Sequence, residues 1–173
     1  GEWVLRRAAG DLARMPDEIS IPVNVSATQF RQPQRLVTAV RELIAEGKVP
    51  AERLELELTE SVLVDNPELT LATMKELRSL GLRFSLDDFG TGASSFEYLK
   101  CLAVDVVKID GMFVSDIVDD EIDYAVVKAI ADLAILMGKT VVAESVESEA
   151  IERKLEGIGV HYLQGFAIGL PLP

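Results

Sequence analysis

Two adjacent carboxylates, Asp87 and Asp88, lie directly after an apolar run and directly before Phe89, Gly90, Thr91 and Gly92. Adjacent carboxylates repel each other unless a cation or a proton lies between them. A glycine-rich turn lets the backbone approach a ligand closely and gives a loop freedom to move. The segment therefore predicts either a divalent metal site beneath a mobile loop or a solvated turn, in which Asp and Gly are also common.

Other polar residues follow the remaining apolar runs of the chain. Short runs rich in Val, Ile and Leu are typical of strands that are buried on both faces of a parallel sheet. We predict six such strands, over residues 21–25, 54–58, 82–86, 104–109, 140–143 and 160–163. In chain order, their carboxyl ends carry Asn24, Glu57 with Glu60, Asp87 with Asp88, Lys108 with Asp110, Glu144 with Glu147, and Gln164.

Segments with helical spacing separate these strands. Gly47 ends the first, Asn66 and Gly81 bound the second, and Asp120 and Gly138 bound the third. Alternation of strand and helix predicts an α/β fold, either an open doubly wound sheet or a barrel. An open sheet gathers ligand groups at its switch point, whereas a parallel barrel brings every strand end to one mouth. Polar groups at all six strand ends therefore favour a TIM-like (β/α) barrel.

The types of the polar residues indicate hard-ligand chemistry. Carboxylates with an amide oxygen suit Mg²⁺ or Mn²⁺, and a lysine among them could stabilise an anionic group. His161 is the one histidine, so catalysis by histidine pairs is not expected, and we interpret it as a packed or hydrogen-bonded core residue. The residues alone predict metal-assisted chemistry on a phosphorylated or enolisable substrate.

Composition limits the class of protein. A chain of 173 residues is the size of one domain, and its net charge of −12 argues against binding DNA, RNA or an anionic membrane surface. The lone cysteine, Cys101, excludes a disulfide framework, and we see neither a secretory leader nor an apolar stretch of membrane-spanning length. We therefore expect a cytoplasmic protein, or the cytoplasmic part of a membrane-tethered sensor, without direct membrane insertion.

Five segments, in the same order along the chain, resemble the EAL-domain family of cyclic di-GMP phosphodiesterases. They are Val-Asn-Val-Ser at 23–26, Leu-Glu-Leu-Thr-Glu at 56–60, Asp-Asp-Phe-Gly-Thr-Gly-Ala-Ser-Ser at 87–95, Val-Lys-Ile-Asp at 107–110 and Ala-Glu-Ser-Val-Glu at 143–147. The closing Gln-Gly-Phe at 164–166 and Leu-Pro-Leu-Pro at 170–173 are also similar to the end of that family's domain. Ordered agreement over nearly the whole chain is more specific than any single motif.

The resemblance implies hydrolysis of cyclic di-GMP to linear pGpG by a water molecule that two Mg²⁺ or Mn²⁺ ions activate. It implies that Asn24, Glu57 and Asp87 hold one metal and that Asp87, Asp88 and Glu144 hold the other. Lys108 would lie beside the water and the scissile phosphate, so that Asp87, Asp88, Lys108 and Glu144 form the catalytic set. Substrate binding or loop anchoring would fall to Glu60, Ser94, Ser95, Asp110, Glu147 and Gln164.

The chain departs from the family in one respect. No Glu-Ala-Leu segment occurs in it, six strands are predicted where the barrel has eight, and 173 residues fall short of the roughly 250 typical of this barrel. We therefore expect residues 1–173 to be an EAL-type domain truncated at its N-terminus. The resemblance also implies a homodimer fused to sensor or cyclase domains.

Alternative interpretations stay open on the sequence alone. The domain could be a catalytically inactive cyclic di-GMP receptor, a protein-interaction module of a signalling protein, or an enolase-like barrel. Each candidate residue also has an ordinary role: Lys108 could form a simple ion pair, Glu144 and Glu147 could begin a helix, and Gln164 could bond to backbone. The choice between Mg²⁺ and Mn²⁺ is also left open.

Overall fold

The computed structural model describes residues 1–47, 50–62, 66–91, 99–100 and 102–170, which form two compact units. The first unit contains the described residues up to 85 together with 102–104, and the second contains 86–91, 99–100 and 105–170. The strands are β1 (Ile21–Asn24), β2 (Leu54–Thr59), β3 (Arg83–Phe89), β4 (Val106–Ile109), β5 (Thr140–Ala143) and β6 (Tyr162–Leu163). The α-helices are α1 (Glu2–Leu12), α2 (Ala27–Phe30), α3 (Pro33–Ala45), α4 (Pro67–Ser79), α5 (Gly111–Val114), α6 (Glu121–Leu136) and α7 (Glu149–Ile158).

The first unit is built on parallel strands in the order β1, β2 and the beginning of β3. The register of β1 and β2 runs from Ile21 opposite Leu54 to Asn24 opposite Glu57. Helix α1 packs on α3 and on β1, and its apolar positions at the spacing of one helical face bury Leu5 and Leu12. This packing fixes the level at which β1 and β2 end.

The second unit contains the end of β3 followed by β4, β5 and β6. Strand β4 is parallel to β5, with Lys108 opposite Val142, and β5 is parallel to β6. Helix α6 covers β4 and β5 and buries Val127 and Ile130, while Val107 and Val141 are fully buried within the strands. Because neighbouring parallel strands end at the same edge, this arrangement brings the residues after β3, β4 and β5 together.

All six predicted strands are present, and the predicted helix ends are confirmed. Asn66 caps α4 by accepting a hydrogen bond from the N–H of Leu69 at 3.1 Å, and Asp120 caps α6 by accepting from Ile122 at 2.7 Å. Gly47, Gly81 and Gly138 all have positive φ angles just beyond the helices that they end. Strand β3 continues to Phe89, so that Asp87 and Asp88 lie in the strand itself.

His161 is hydrogen-bonded as predicted, because its Nδ1 accepts from the N–H of Val141 at 3.0 Å. It is not a core residue, since the side chain is exposed immediately before the short strand β6. Cys101 lies outside the described residues. Among the helices of the described ranges, none is long and apolar enough to cross a membrane.

Candidate active site

Five charged side chains of the second unit meet at the ends of its strands. Asp87 and Asp88 come from β3, Lys108 from β4, Asp110 from the residue after β4, and Glu144 from the residue after β5. We refer to these five residues as the carboxylate cluster. The structure thus brings together five of the site residues predicted from the sequence, because the strands that carry them are neighbours in the sheet.

Lys108 lies between two carboxylates of the cluster. Its Nζ atom is 3.0 Å from Oδ1 of Asp87 and 2.5 Å from Oε1 of Glu144. The three side chains are 11%, 15% and 20% exposed, respectively, so these contacts are shielded from bulk water. Hydrogen bonds between charged groups in such surroundings are short and strong, and they hold the lysine ammonium group in place. Both acidic partners of Lys108 are therefore distant from it in the sequence.

Asp88 has an unusual backbone conformation and a raised pKa. Its φ angle is +54°, a left-handed conformation that Asp tolerates better than most residues. Burial raises the pKa of Asp88, and the negative charge of Asp87 and a hydrogen bond to the Asp110 side chain raise this pKa further. The Asp88 carboxyl group therefore binds a proton more readily than a solvated Asp does, as expected where carboxylates are crowded.

Three of these carboxylates suit a metal ion. Asp87, Asp88 and Glu144 each offer one oxygen, and the three oxygens lie within 4.8 Å of one another. Carboxylate oxygens are the ligands that Mg²⁺ and Mn²⁺ prefer in proteins. The donor set and its spacing therefore fit a divalent cation, and such an ion would relieve the repulsion that raises the Asp88 pKa.

The other predicted site residues of the second unit are arranged around the cluster in different ways. Asp110 caps helix α5, because its Oδ1 accepts a hydrogen bond from the N–H of Met112 at 2.7 Å. Gln164 uses its backbone: its N–H donates to the Ala143 carbonyl at 2.8 Å, and its own carbonyl accepts from Val146 at 3.0 Å. The Gln164 and Glu147 side chains are exposed, and their substrate-binding roles stay predictions.

Asn24, Glu57 and Glu60 lie in the first unit. Asn24 ends β1 directly opposite Glu57 in β2, while the side chains of Glu57 and Glu60 are buried, at 4% and 6% exposed. A buried acid at the end of a strand is costly unless it has a partner or a ligand, which distinguishes these two residues from an ordinary solvated rim. Their predicted roles as metal ligand and loop anchor stay predictions.

The predicted mobile loop runs from Phe89 to Ser95; Phe89 is the last residue of β3, and Ser94 and Ser95 lie outside the described residues. Gly90 has a φ angle of +106°, and a Cβ atom at this position would come to 2.9 Å from Cε2 of Phe113. Both the backbone conformation and the space therefore require glycine at this point. The contact with Phe113 had no signal in the sequence.

Two further residues beside the cluster escaped sequence reasoning. Ser145 follows Glu144 with a φ angle of +55°, and it packs on Gly111, which follows Asp110. A left-handed serine has no pattern by which it could be recognised in a sequence. The signal that the sequence does offer is position: Ser145 follows the predicted site residue Glu144, and Gly111 follows Asp110.

The fold and the cluster define an α/β protein with acidic side chains, spaced as metal ligands are, at the ends of parallel strands. The model of the EAL domain family matches residues 1–171, and the chain belongs to this family. The chain is 37% identical over 172 residues to the cyclic di-GMP phosphodiesterase PdeF of Escherichia coli, covering 99% of the chain and 23% of PdeF. It is 38% identical over 177 residues to the bifunctional diguanylate cyclase/cyclic di-GMP phosphodiesterase MucR of Pseudomonas aeruginosa, covering 100% of the chain and 26% of MucR.

Solved structures agree with this assignment. The MucR phosphodiesterase in complex with c-di-GMP matches with a TM-score of 0.93 and 37% identity, over 100% of this chain and 71% of that one. The EAL domain of Mycobacterium smegmatis DcpA matches with a TM-score of 0.92 and 36% identity, over 99% of this chain and 79% of that one. The predicted α/β fold of the TIM-like barrel class is thereby confirmed. The chain spans only about a fifth of the length of the first curated relatives that it matches, 21% in two cases.

Proposed function

We propose that this domain hydrolyses one phosphodiester bond of cyclic di-GMP, giving linear pGpG, in a reaction that requires a divalent metal ion. Two observations support the proposal: membership of the EAL domain family, and similarity to proteins named as cyclic di-GMP phosphodiesterases. The observation that carries it is the carboxylate cluster, in which three acidic oxygens lie within 4.8 Å of one another beside Lys108.

In this proposal Asp87, Asp88 and Glu144 hold Mg²⁺ or Mn²⁺. When bound, such an ion lowers the pKa of a water molecule and polarises a phosphoryl oxygen. Asp110 lies beside Asp88, and its negative charge adds to the attraction of the site for a cation. Asn24 and Glu57 remain proposed ligands of a second ion, and their direct pairing across β1 and β2 presents an amide and a carboxylate at one level of the first unit.

Lys108 serves the substrate. Its ammonium group is held at 3.0 Å from Asp87 and 2.5 Å from Glu144, so it is oriented before the substrate binds. Once these carboxylates engage a cation, the ammonium group can donate hydrogen bonds to a phosphate oxygen, where a fixed positive charge stabilises the negative charge of the transition state.

We also propose that the domain works within a longer cytoplasmic signalling protein and forms a homodimer. The relatives are several times longer than this chain, and one of them, MucR, is named as a bifunctional cyclase and phosphodiesterase. Exposed apolar side chains such as Trp3, Ile122 and Leu136 are compatible with further contacts. Light scattering during size-exclusion chromatography would test the dimer, which predicts twice the mass of 18.9 kDa.

The test of the function is incubation with cyclic di-GMP and Mn²⁺ or Mg²⁺, with the products separated by chromatography. We expect pGpG to form, and we expect EDTA and the Asp87→Asn variant each to abolish it. The matched control is Asp116→Asn, which removes an exposed acid of the same unit outside the cluster. It should retain the parent activity.

The same experiment also tests the truncation that the sequence predicts. A chain extended at its N-terminus is assayed beside the 173-residue chain. Activity in the extended chain alone would support both the function and the truncation. Absence of pGpG from both samples would contradict the phosphodiesterase. Calorimetric binding of cyclic di-GMP without hydrolysis would then favour the receptor function.

A further inference from the structure

Ser145 has an unusual backbone conformation next to a proposed metal ligand. Its φ angle is +55°, in the left-handed region that residues other than Gly, Asn and Asp rarely adopt. Such conformations persist when the surrounding structure determines them, and they concentrate at functional sites. Ser145 directly follows Glu144, whose carboxylate contacts Lys108. The direction of the Glu144 side chain therefore depends on what holds Ser145.

Backbone hydrogen bonds hold both neighbours of Ser145. The N–H of Glu144 donates to the carbonyl of Ile109, the last residue of β4, at 3.2 Å. The N–H of Val146 donates to the Gln164 carbonyl, and the Val146 carbonyl accepts from Ala167, both at 3.0 Å. Ser145 must therefore make the turn between two fixed points, which explains its strained φ angle.

The side chain of Ser145 occupies space that Gly111 leaves empty. A Cβ atom at position 111 would overlap Oγ of Ser145 and would come to 2.6 Å from its Cβ, whereas the Ser145 Cα would be 3.9 Å away. Rotation of the Ser145 hydroxyl group cannot relieve the contact between the two Cβ atoms. The two positions together therefore have room for one side chain, and in this protein Ser145 provides it.

Gly111 and Ser145 connect the two loops that carry cluster residues. Gly111 follows Asp110, which is hydrogen-bonded to Asp88, and Ser145 follows Glu144. We propose that Gly111 and Ser145 are a matched pair of positioning residues: because Gly111 has no side chain, Ser145 can make its turn, and this turn keeps Glu144 directed at Lys108 and at the metal ion. The proposal rests on the proposed function, because it assumes that the carboxylate cluster binds a divalent cation.

The test measures Mn²⁺ affinity by isothermal titration calorimetry in the full chain. Gly111→Ala should weaken binding roughly 10- to 100-fold, the usual effect of disturbing groups that orient metal ligands. Ser145→Gly should bind within about threefold of the parent, because glycine adopts a positive φ angle without strain. The double variant Gly111→Ala with Ser145→Gly should regain the affinity of Ser145→Gly, since the overlapping atoms are gone.

Two controls make the result specific. Gly157→Ala adds a methyl group at a position in helix α7 of the same unit with nothing within 4 Å, and it should leave Mn²⁺ affinity unchanged. Urea unfolding of every variant shows whether the fold is retained. Should Gly111→Ala fail to fold, Ser145→Thr adds a methyl group at the same contact, and we expect it to weaken Mn²⁺ binding roughly tenfold, the lower end of such effects.

The outcomes separate this proposal from the proposed function. If the parent binds Mn²⁺ and Gly111→Ala or Ser145→Thr binds it equally well in the folded state, the matched pair is wrong and the metal site stands. A folded Gly111→Ala variant whose loss of affinity Ser145→Gly does not restore also contradicts the pair. Failure of the parent to bind Mn²⁺ would contradict the proposed metal site. It would also contradict the matched pair, which assumes that site.

Discussion

The two units each bury a cation, and they satisfy it in opposite ways. In the first unit the Arg53 side chain is 9% exposed, and its guanidinium group donates hydrogen bonds to the carbonyls of Met15, Pro16 and Ile19 at 3.2, 2.6 and 2.8 Å. A further bond of 3.2 Å reaches Asp17, whose side chain is 98% exposed. Three neutral carbonyls and one exposed carboxylate thus surround Arg53, and the segment before β1 is held against the start of β2.

In the second unit acidic groups surround the buried cation. Lys108 contacts Asp87 and Glu144, and the cluster also contains Asp88 and Asp110. Burial raises the pKa of Asp88, and the excess of negative charge that four carboxylates and one ammonium group leave raises it further. Such crowding disfavours the folded protein in the absence of a further cation.

This difference distinguishes a structural cation from a functional one. Arg53 is matched by its partners, so it stabilises the fold and leaves no group available for chemistry. The carboxylate cluster is mismatched, as sites with perturbed pKa values often are when they bind or transform a ligand. The structural cation and the functional cation therefore lie in different units, and substituting Arg53 should have a different consequence from substituting a residue of the carboxylate cluster.

The largest expected effect is that of Glu144→Gln, which removes one proposed metal ligand and one partner of Lys108. We expect hydrolysis of cyclic di-GMP to fall about a thousandfold, because a metal ion contributes several kcal/mol to such reactions and 1.4 kcal/mol corresponds to a tenfold change in rate. Initial rates of pGpG formation measure it. Glu156→Gln, an exposed acid in α7, is the matched control and should retain full activity; equal activity of both variants would contradict the assigned role.

Arg53→Met should produce the converse result in the first unit. It removes the charged donor that binds three backbone carbonyls, so we expect the free energy of unfolding to fall by about 2–4 kcal/mol. Urea denaturation measures the change, and Arg7→Met is the control, because Arg7 is 65% exposed and pairs with Asp11 on the surface. If Arg53→Met and Arg7→Met are equally stable, Arg53 does not have the structural role described here.

Lys108→Met should separate metal binding from catalysis. Removing a positive charge beside Asp87 and Glu144 should tighten Mn²⁺ binding about tenfold, because two like charges no longer compete for the same carboxylates. Hydrolysis should nevertheless fall, since the phosphate loses its proposed hydrogen-bond donor. Calorimetry and steady-state kinetics on one preparation measure both quantities. Weaker Mn²⁺ binding would show that Lys108 supports the metal site instead of competing with it.

The smallest expected effect is that of Asp88→Asn on the free energy of unfolding without a metal ion, and this effect depends on pH. The raised pKa of Asp88 means that the folded chain binds this proton more tightly than the unfolded chain does. The resulting stabilisation is present at low pH and is lost as the pH rises through the folded-state pKa. In EDTA, Asp88→Asn should therefore be more stable than the parent at pH 7.5, by roughly 1 kcal/mol.

The difference between Asp88→Asn and the parent should narrow when urea unfolding is repeated at pH 4.5. Asp116→Asn provides the comparison for loss of an acid outside the cluster. A constant difference between the Asp88→Asn variant and the parent at the two pH values would mean that the Asp88 proton is not linked to folding.

Local patterns in the sequence are enough to predict the strands, the helix ends and most residues of the candidate site. Periodicity and capping residues are properties of neighbouring positions, so the six strands and the caps at Asn66 and Asp120 could be predicted. The residues of the carboxylate cluster could be predicted as well, because parallel strands bring their carboxyl ends to one edge. His161 shows the limit of this reasoning: its hydrogen bond was expected, but its exposure depends on how short strand β6 is.

Contacts between distant segments could not be predicted in this way. Nothing near Lys108 in the sequence shows that Asp87 and Glu144 are its partners. Arg53 follows a loop in the sequence, and its acceptors lie more than thirty positions earlier. The positive φ angles of Asp88 and Ser145 result from the turns that the folded backbone must make, and they leave no trace in residue type.

The most direct test of the metal site is a crystal structure of the chain soaked in Mn²⁺, with diffraction data collected for anomalous scattering. We predict an anomalous peak coordinated by Asp87, Asp88 and Glu144, with the Lys108 ammonium group moved away from Glu144. An intact contact between Lys108 and Glu144, with no anomalous peak at the cluster in a crystal saturated with Mn²⁺, would contradict the metal-dependent function proposed for this protein.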